Sequence, residues 1–193
     1  MSSTNRSKAR ETHISDYYVT PQNQIELFLK ELEKDIPIFK DKNLKILDPC
    51  AGGDVLHEMS YPAVIKKLYG YECDTIDIRP DSLARNIYDY LEYGVDYEPD
   101  IIITNPPFNK AIEIINAALE DVKPGGYVIM LLRLNFFGTK GRFPFFKKTM
   151  PALCYVHHER MSFTEDGKTD SIEYCHMVFQ KGYTGNLTVL RVI

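Results

Sequence analysis

The chain has 193 residues, of which 44% are hydrophobic and 26% are charged, and its formal net charge is −4. This length suits one compact domain, and the apolar content excludes a disordered chain. The apolar runs are far shorter than the ~20 residues needed to span a bilayer, and the polar N-terminus lacks the apolar stretch of a signal peptide. The net charge excludes a globally basic nucleic-acid coat but leaves room for a local basic surface.

Four cysteines are scattered along the chain, with no C-x-x-C pair and no clustered His-Cys spacing: Cys50, Cys73, Cys154 and Cys175. This spacing supports neither a structural zinc site nor a disulfide framework, so no metal is expected. Isolated thiols of this kind usually pack as small apolar groups in a reducing compartment. We therefore expect a cytoplasmic protein without a membrane partner.

The N-terminal region divides into a predicted flexible arm and a helix. Residues 1–16 have the composition of a basic flexible arm, and a helical pattern begins at Thr20 and Pro21. Thr20 fits an N-cap, with Pro21 at the first helical position. Apolar residues then recur at i, i+3, i+4 and i+7, which predicts one buried helix face formed by Ile25, Phe28, Leu29 and Leu32.

Apolar strands alternate with helical segments along the rest of the chain. Helices are predicted at 60–69 and at 109–121, the second with its inward face at Ile112, Ile115, Ala118 and Leu119. Strands are predicted at 44–47, 73–78, 101–104, 127–132, 152–157, 172–180 and 187–192. This alternation indicates an α/β fold of parallel βαβ units, with no second domain. Ligands in such sheets bind at the carboxyl ends of strands, where this chain carries Asp48, Asp77 and Asn105.

The loop after the first predicted strand contains Gly52 and Gly53 between two acids, Asp48 and Asp54. It lacks the G-x-G-x-x-G spacing that anchors a dinucleotide pyrophosphate. Carboxylates repel phosphates and favour ammonium or sulfonium groups, so the loop predicts a positively charged cofactor without phosphate. An ordinary strand–helix turn is the alternative. Asp77 has the position of an acid that accepts ribose hydroxyls, although solvated acids are also common at strand ends.

The tetrapeptide Asn105-Pro106-Pro107-Phe108 follows the third predicted strand. Its two prolines fix φ and remove two backbone donors, which leaves carbonyl oxygens free to accept. The Asn105 side-chain oxygen and the Pro106 carbonyl can together receive the two N–H bonds of a planar amino group, and Phe108 offers a ring for stacking. The segment therefore predicts a site for an –NH2 nucleophile, with a rigid turn as the alternative.

In this tetrapeptide and in the Asp-Pro-Cys-Ala-Gly-Gly loop at 48–53, the chain resembles the S-adenosylmethionine-dependent amino-methyltransferases, and most closely the DNA adenine-N6 methyltransferases. The similarity extends more weakly over residues 17–180. It implies a single-domain Rossmann-like methyltransferase at 17–193, with a mostly parallel seven-stranded sheet and an antiparallel strand near the C-terminus. No separate target-recognition domain is expected. The catalytic residues would be Asn105, Pro106, Pro107 and Phe108.

The resemblance also implies S-adenosyl-L-methionine as cofactor. The loop at 48–53 would surround its methionine part, Asp77 would accept its ribose hydroxyls and Asp89 would accept its adenine amino group. The chain departs from the family at Asp54, where a second spaced glycine is common. The implied cofactor-binding residues are Tyr18, Thr20, Pro21, Asp48, Pro49, Cys50, Gly52, Asp54, Asp77, Ile78, Asp89, Tyr90 and Asn105.

Residues 133–148 form a basic segment without one acid, in which cationic and aromatic side chains alternate. Basic side chains can contact phosphates while aromatic rings stack on bases; the alternative is a lid whose phenylalanines pack on the domain. Segment 160–174 resembles a family loop beside the target base, where Phe163 would face Phe108. His157 and His158 fit strand-end polar residues better than ligands or bases. The predicted nucleic-acid contacts are Arg133, Lys140, Arg142, Lys147, Lys148, Phe163 and Lys168.

The resemblance implies methyl transfer from S-adenosylmethionine to the N6 amino group of adenine in DNA. The base would be flipped out of the duplex and methylated by direct in-line transfer, with short or relaxed sequence preference. Methylation of RNA adenine-N6 or of a protein glutamine-N5 amide stays open, as does a non-catalytic regulator that binds the cofactor and nucleic acid. A stand-alone bacterial or phage-borne enzyme, a monomer or weak dimer, is the expected form.

Overall fold

A computed structural model describes residues 18–163, 169 and 171–193, so the predicted arm at 1–16 lies outside the described residues. The chain forms one mixed sheet covered by helices on both faces. Its strands are β1 (Ile46–Asp48), β2 (Asp74–Asp77), β3 (Asn86–Ile87), β4 (Ile101–Thr104), β5 (Tyr127–Arg133), β6 (Leu153–Val156), β7 (Tyr174–Gln180) and β8 (Val189–Val192). Its α-helices are α1 (Gln22–Asp35), α2 (Ser60–Tyr69), α3 (Tyr90–Tyr93), α4 (Ala111–Asp121) and α5 (Phe143–Phe146).

The sheet has the strand order β3-β2-β1-β4-β5-β7-β6-β8. Strands β1 to β5 pair in parallel, whereas β7 lies between β5 and β6 and runs antiparallel to both. The α/β class and the antiparallel strand near the C-terminus are therefore confirmed, but the sheet has eight strands rather than the seven expected. The additional strand is β3, whose two exposed residues are too few to produce a hydrophobic pattern.

The apolar residues of the two long helices pack against opposite faces of the sheet. The predicted α1 face is confirmed, since Ile25, Phe28, Leu29 and Leu32 are all at most 1% exposed. In α4 the buried face is Ala111, Ile114, Ile115 and Ala118. Ile112 and Leu119, which were expected inside, are only partly buried. The helix is thus rotated by one residue from the predicted face, because a broad apolar surface leaves its orientation to be decided by packing on the sheet.

The start of α1 differs from the prediction. The helix begins at Gln22, Pro21 occupies the cap position, and the helix has no side-chain cap. The hydroxyl oxygen of Thr20 instead accepts a hydrogen bond from Asn105 Nδ2 at 3.0 Å. Thr20 therefore connects the N-terminal helix to the end of β4 rather than capping its own helix. None of the helices in the described residues has the length and apolar character needed to cross a membrane.

Gly126, at the turn from α4 into β5, provides a test of this packing. A Cβ added there would lie 2.7 Å from Val122 Cγ2 and 2.8 Å from the carbonyl oxygen of Asp100. Because the backbone cannot move aside easily, Gly126→Ala should lower the free energy of unfolding by about 1–3 kcal/mol in urea titrations. The matched variant Gly138→Ala has open space around the new methyl group and should change it by less than about 0.5 kcal/mol. Equal effects of the two variants would contradict the packing described.

Candidate functional site

A cleft opens at the carboxyl ends of β1, β2 and β4. Asp48 is the last residue of β1, Asp77 is the last residue of β2, and Asn105 directly follows β4. All three line the cleft, as the strand-end argument predicted. The other predicted cofactor residues that line it are Tyr18, Thr20, Pro49, Cys50, Gly52, Ile78, Asp89 and Tyr90. Within the described residues, no group of three or more His, Cys, Asp or Glu side chains is arranged to hold a metal ion.

Asp77 holds the glycine loop against the end of β2. Its carboxylate oxygens accept the backbone N–H of Gly52 at 2.7 Å and the backbone N–H of Arg79 at 2.8 Å. The buried Arg79 donates from Nη2 to the carbonyl oxygen of Gly53 at 2.6 Å. Gly53 has φ +75° and lies so close to α2 that an added Cβ would be 2.8 Å from Met59 Cγ. The loop therefore needs glycine both for its backbone conformation and for its close approach to the neighbouring helix.

Asp48 is a carboxyl group held almost out of contact with water. It is 1% exposed and accepts the backbone N–H of Cys50 at 3.2 Å. Burial raises the pKa of Asp48 to about 7, because removal from water penalises the charged form. The nearby negative charge of Asp77 raises that pKa further. A cation bound in the cleft would reverse this penalty, so Asp48 is suited to a positively charged ligand.

Two predicted cofactor residues, Pro21 and Asp54, lie in the described part of the chain but outside the cleft lining. Asp54 Oδ1 accepts the backbone N–H groups of Leu56 at 2.8 Å and His57 at 2.9 Å, and its carboxylate contacts the His57 ring at 3.0 Å. The carboxylate of Asp54 thus stabilises its own turn. Pro21 occupies the cap position of α1, behind Thr20. The strand-end acids Asp48 and Asp77 line the cleft, whereas a cofactor contact by Pro21 or Asp54 stays a prediction.

The Asn-Pro-Pro-Phe segment presents acceptor groups at the edge of the cleft. Asn105 Nδ2 donates to Thr20 Oγ1 at 3.0 Å, which leaves Asn105 Oδ1 as an acceptor. The Pro107 carbonyl accepts the backbone N–H of Lys110 at 2.9 Å as α4 begins. Among the described residues, the Pro106 carbonyl receives no hydrogen bond. Asn105 and Pro107 line the cleft, whereas Pro106 is buried and Phe108 lies next to the cleft rather than in its lining.

Phe108 belongs to an aromatic cluster that the sequence pattern revealed only in part. Its ring lies 6.1 Å from the ring of Tyr174, and Phe163 packs edge-on against Tyr174 at 4.9 Å. Tyr18 meets Phe163 at 6.0 Å. The structure therefore brings Phe108 and Phe163 to the same buried tyrosine. Tyr174 ends the segment 160–174 noted in the sequence, but its own role was not predicted, because an aromatic residue is ordinary at the start of an apolar strand such as β7.

Arg133, predicted to contact phosphate, has a different environment. Its guanidinium carbon lies 4.5 Å from the centroid of the Phe108 ring, within the distance of a cation–π contact. The side chain is partly buried, and its Nε is buried without a hydrogen-bond partner among the described residues. Arg133 therefore packs against Phe108 and is only partly exposed, and its contact with phosphate stays a prediction.

The basic segment after β5 carries three exposed cations, Lys140, Lys147 and Lys148. Arg142, in contrast, lies over the Phe136 ring at 4.3 Å and donates to the Phe136 carbonyl oxygen. Phe136, Phe137, Phe145 and Phe146 pack on the core, and among the five phenylalanines of the segment Phe143 is the exposed ring, at 60%. The structure thus favours the lid alternative for the four packed rings. Lys168 lies outside the described residues.

Several cleft residues were not predicted from the sequence. Ser60 and Tyr61 are the first two residues of α2, and Lys110 directly precedes α4. Arg79 follows β2, and Leu91 follows Asp89. Ser60 and Tyr61 belong to the first turn of a helix whose pattern indicated only its fold. Arg79 follows a strand-end acid and could have been suspected on that ground, since a buried carboxylate commonly has a cationic neighbour.

The sequence matches no protein-family model, and no curated protein matches it. Its fold matches a protein from Listeria monocytogenes assigned provisionally as a class I S-adenosylmethionine-dependent methyltransferase (TM-score 0.67, 17% identity, 95% of this chain and 68% of that one). It also matches the M protein of the type I restriction enzyme EcoKI (0.60, 16%, 91% and 48%). A third match is a provisionally assigned RNA methyltransferase from Pyrococcus horikoshii (0.64, 16%, 86% and 88%). The chain therefore has a Rossmann-like methyltransferase fold and spans about half the length of the EcoKI protein.

The burial of Asp48 predicts how stability changes with pH. Its pKa is raised from 3.8 to about 7 on folding, so between these values the folded chain binds more protons than the unfolded chain. The Asp48 contribution should therefore lower the free energy of unfolding as pH rises from 4 to 7, by at most about 1.4 kcal/mol per pH unit, and level off above 7. Asp48→Asn should remove this slope in urea titrations from pH 4 to 8.

The exposed Glu98→Gln is the matched control and should retain the wild-type slope, because Glu98 stays in water when the chain folds. Identical pH profiles for the wild type and Asp48→Asn would contradict the burial of a titrating carboxyl group at this position.

Proposed function

We propose that the chain binds S-adenosylmethionine in the cleft and transfers its methyl group to the N6 amino group of adenine in DNA. The observation that carries this proposal is the juxtaposition of an acidic cleft, at Asp48 and Asp77, with Asn105 in the lining of the same cleft, where its Oδ1 remains an acceptor. The proposal is also supported by the fold, whose solved neighbours include a protein assigned provisionally as a class I S-adenosylmethionine-dependent methyltransferase and a restriction-enzyme M protein.

The residues of the cleft fit the chemistry of this cofactor. The glycine loop contributes Gly52 and Gly53 to the lining, where the backbone lies open to a ligand without an intervening side chain. Asp48 favours the cationic amino-acid end, and Asp77 and Asp89 offer acceptors for the ribose hydroxyls and the adenine amino group. Ile78, 55% exposed, and Leu91, 37% exposed, provide apolar surface for the adenine ring. When bound, the cofactor supplies an activated methyl group on a sulfonium sulfur.

The acceptor site orients the amino group. The nitrogen of an exocyclic amino group is a weak nucleophile because its lone pair is delocalised into the ring. Asn105 Oδ1 and the Pro106 carbonyl would accept its two N–H bonds and favour a pyramidal nitrogen with an available lone pair. Thr20 fixes the Asn105 amide through the 3.0 Å bond to Nδ2. These groups act by positioning and by electrostatic stabilisation, and none forms a covalent intermediate.

Nucleic acid is favoured as the substrate by the cations that follow β5. β4 and β5 are parallel, with Thr104 beside Met130, so residues 134–148 begin at the same sheet edge as Asn105. Within the described residues, Lys140, Lys147 and Lys148 form no ion pair with an acidic side chain and remain exposed for phosphate contacts. The base would be flipped out of the duplex to reach Asn105. RNA adenine, protein glutamine and binding without catalysis are the other outcomes of the test.

The first test is methyl transfer by the purified chain. Unmethylated DNA, total RNA and a protein extract are incubated separately with labelled S-adenosylmethionine, and the products are identified by mass spectrometry. Asn105→Ala should lower the methylation rate by about 100-fold or more, because a positioned acceptor of the reacting group is lost, while cofactor affinity changes only a few-fold. Asn109→Ala alters an exposed asparagine four residues further along the chain and should retain the rate.

N6-methyladenine in DNA, lost with Asn105→Ala, is the expected result. Label in RNA adenine or in a glutamine amide would overturn the substrate, and cofactor binding without label in any pool would favour the regulator.

The second test concerns the three lysines. The logarithm of DNA affinity falls with the logarithm of salt concentration by about 0.9 per phosphate contact. Alanine at Lys140, Lys147 and Lys148 together should therefore flatten this dependence by about 2–3, measured by fluorescence anisotropy with a labelled duplex. The control replaces Lys30, Lys34 and Lys66, which pair with acids on or beside α1 and α2, and removes the same charge. Equal slopes for the two triple variants would exclude this surface as the DNA contact.

A further inference from the structure

A chain of hydrogen bonds runs through the core from α1 to the wall of the cleft. Gln24 Oε1 lies 2.8 Å from His157 Nδ1, and His157 Nε2 lies 2.8 Å from His176 Nδ1. His176 Nε2 in turn lies 2.9 Å from the hydroxyl oxygen of Tyr61. All four side chains are at most 5% exposed, and Tyr61 lines the cleft. Buried polar groups joined in this way fix one another's orientation.

The outer end of this series of hydrogen bonds, at Gln24, determines which atom donates and which accepts in each bond. Gln24 Nε2 lies 3.3 Å from Glu159 Oε2, and a carboxylate can only accept, so the amide oxygen of Gln24 faces His157. His157 must then donate from Nδ1. A neutral imidazole has one donor and one acceptor nitrogen, so His157 Nε2 accepts from His176 Nδ1, and His176 Nε2 accepts from Tyr61.

Burial keeps both imidazoles neutral. It lowers the pKa of His157 to about 4 and the pKa of His176 well below its usual range, and each ring is disfavoured as a cation by a neighbouring histidine. His176 is also held in place by Phe28, whose ring stacks on it at 3.9 Å with an interplanar angle of 6°. Rotation of His176 would break this stacking and both of its hydrogen bonds.

This arrangement of protons determines how the Tyr61 hydroxyl can interact with a ligand in the cleft. Its one hydroxyl proton is used by His176, so the oxygen has only lone pairs left for another partner. Burial keeps the Tyr61 phenol neutral by raising its pKa well above 10, and the Asp48 carboxylate, in the same cleft lining, adds to that rise. Tyr61 and Asp48 thus contribute a neutral acceptor and an acidic acceptor to the lining of the same cleft.

We infer that Tyr61 is a further cofactor-binding residue, whose hydroxyl oxygen accepts a hydrogen bond from the α-ammonium group of the bound cofactor beside Asp48. Gln24, His157 and His176 are positioning residues, because they keep that oxygen an acceptor. This inference rests on the proposed function and adds the recognition of one chemical group. His157, expected from the sequence to be an ordinary strand-end residue, and His176 thereby acquire a structural reason for their burial.

The binding test separates the amino-acid part of the cofactor from the rest. Calorimetric titrations use S-adenosylhomocysteine, which carries the α-ammonium group, and 5′-methylthioadenosine, which lacks the whole amino-acid part. Tyr61→Phe should weaken S-adenosylhomocysteine binding tenfold or more, as expected for a lost hydrogen bond to a charged group, and methylthioadenosine binding less than twofold. Tyr155→Phe is the matched control, since its buried hydroxyl donates to Asp35 Oδ2 at 2.7 Å on another part of α1. It should leave both affinities unchanged.

A second measurement tests the proton arrangement without any ligand. Nitrogen-15 spectra of the imidazole rings should show both His157 and His176 protonated at Nδ1 and unprotonated at Nε2 at pH 7. An Nε2–H form of either ring would overturn the inference, as would equal weakening of the two ligands by Tyr61→Phe or no weakening of either. If the wild type binds neither ligand, the proposed function and the inferred ammonium contact fail together, whereas any one of the three results named above overturns the inference alone.

Discussion

The site depends on one carboxylate, that of Asp77. It accepts a backbone N–H from the loop after β1 and another from the loop after β2, so it joins the two strand ends between which the cleft opens. The glycines of the first loop can then approach β2 and α2 closely, which a side chain at Gly53 would prevent. Because both oxygens of Asp77 already hold the backbone, any role toward a ribose uses their remaining lone pairs. A contact with a ribose would therefore use the same two carboxylate oxygens that hold the two loops in place.

Asp48 shows the energetic consequence of burying a carboxyl group at a site proposed to bind a cation. A carboxyl group with a pKa near 7 destabilises the folded chain at neutral pH, since burial removes its charge from water. Replacement by asparagine should stabilise the chain and weaken cofactor binding, two effects of opposite sign from one atom exchange. A purely structural acid would not separate stability from binding in this way. Sites kept at the expense of stability are typical of functional positions.

The sequence predicted those parts of the molecule in which a hydrophobic pattern marks a strand and a polar residue marks the end of that strand. Ile101–Thr104 is the strand expected at 101–104, and the strand-end acids and Asn105 lie in one cleft because parallel strands end at the same edge. Contacts between segments far apart in the sequence could not be predicted, because no local pattern specifies them. The partner of Thr20 is 85 residues away, and the bond between His157 and His176 joins neighbouring antiparallel strands. Short elements such as β3 and α3 escaped because two to four residues carry no period.

The net charge of −4 conceals a separation of charge along the sheet edge. The acids Asp48, Asp77 and Asp89 line the cleft at β1 and β2, whereas Arg133 and the exposed lysines follow β5. Asn105 lies between them, after β4, the strand that separates β1 from β5 in the sheet. A cationic methyl donor and a polyanionic acceptor would each meet the opposite charge, and their reacting atoms would meet at the neutral amide. Arg133 covers one face of Phe108, so under the proposed function a target base would stack on the other face of that ring. The strand order thus places the acids of the cleft, Asn105 and the cations at the end of β5 in sequence along one edge of the sheet.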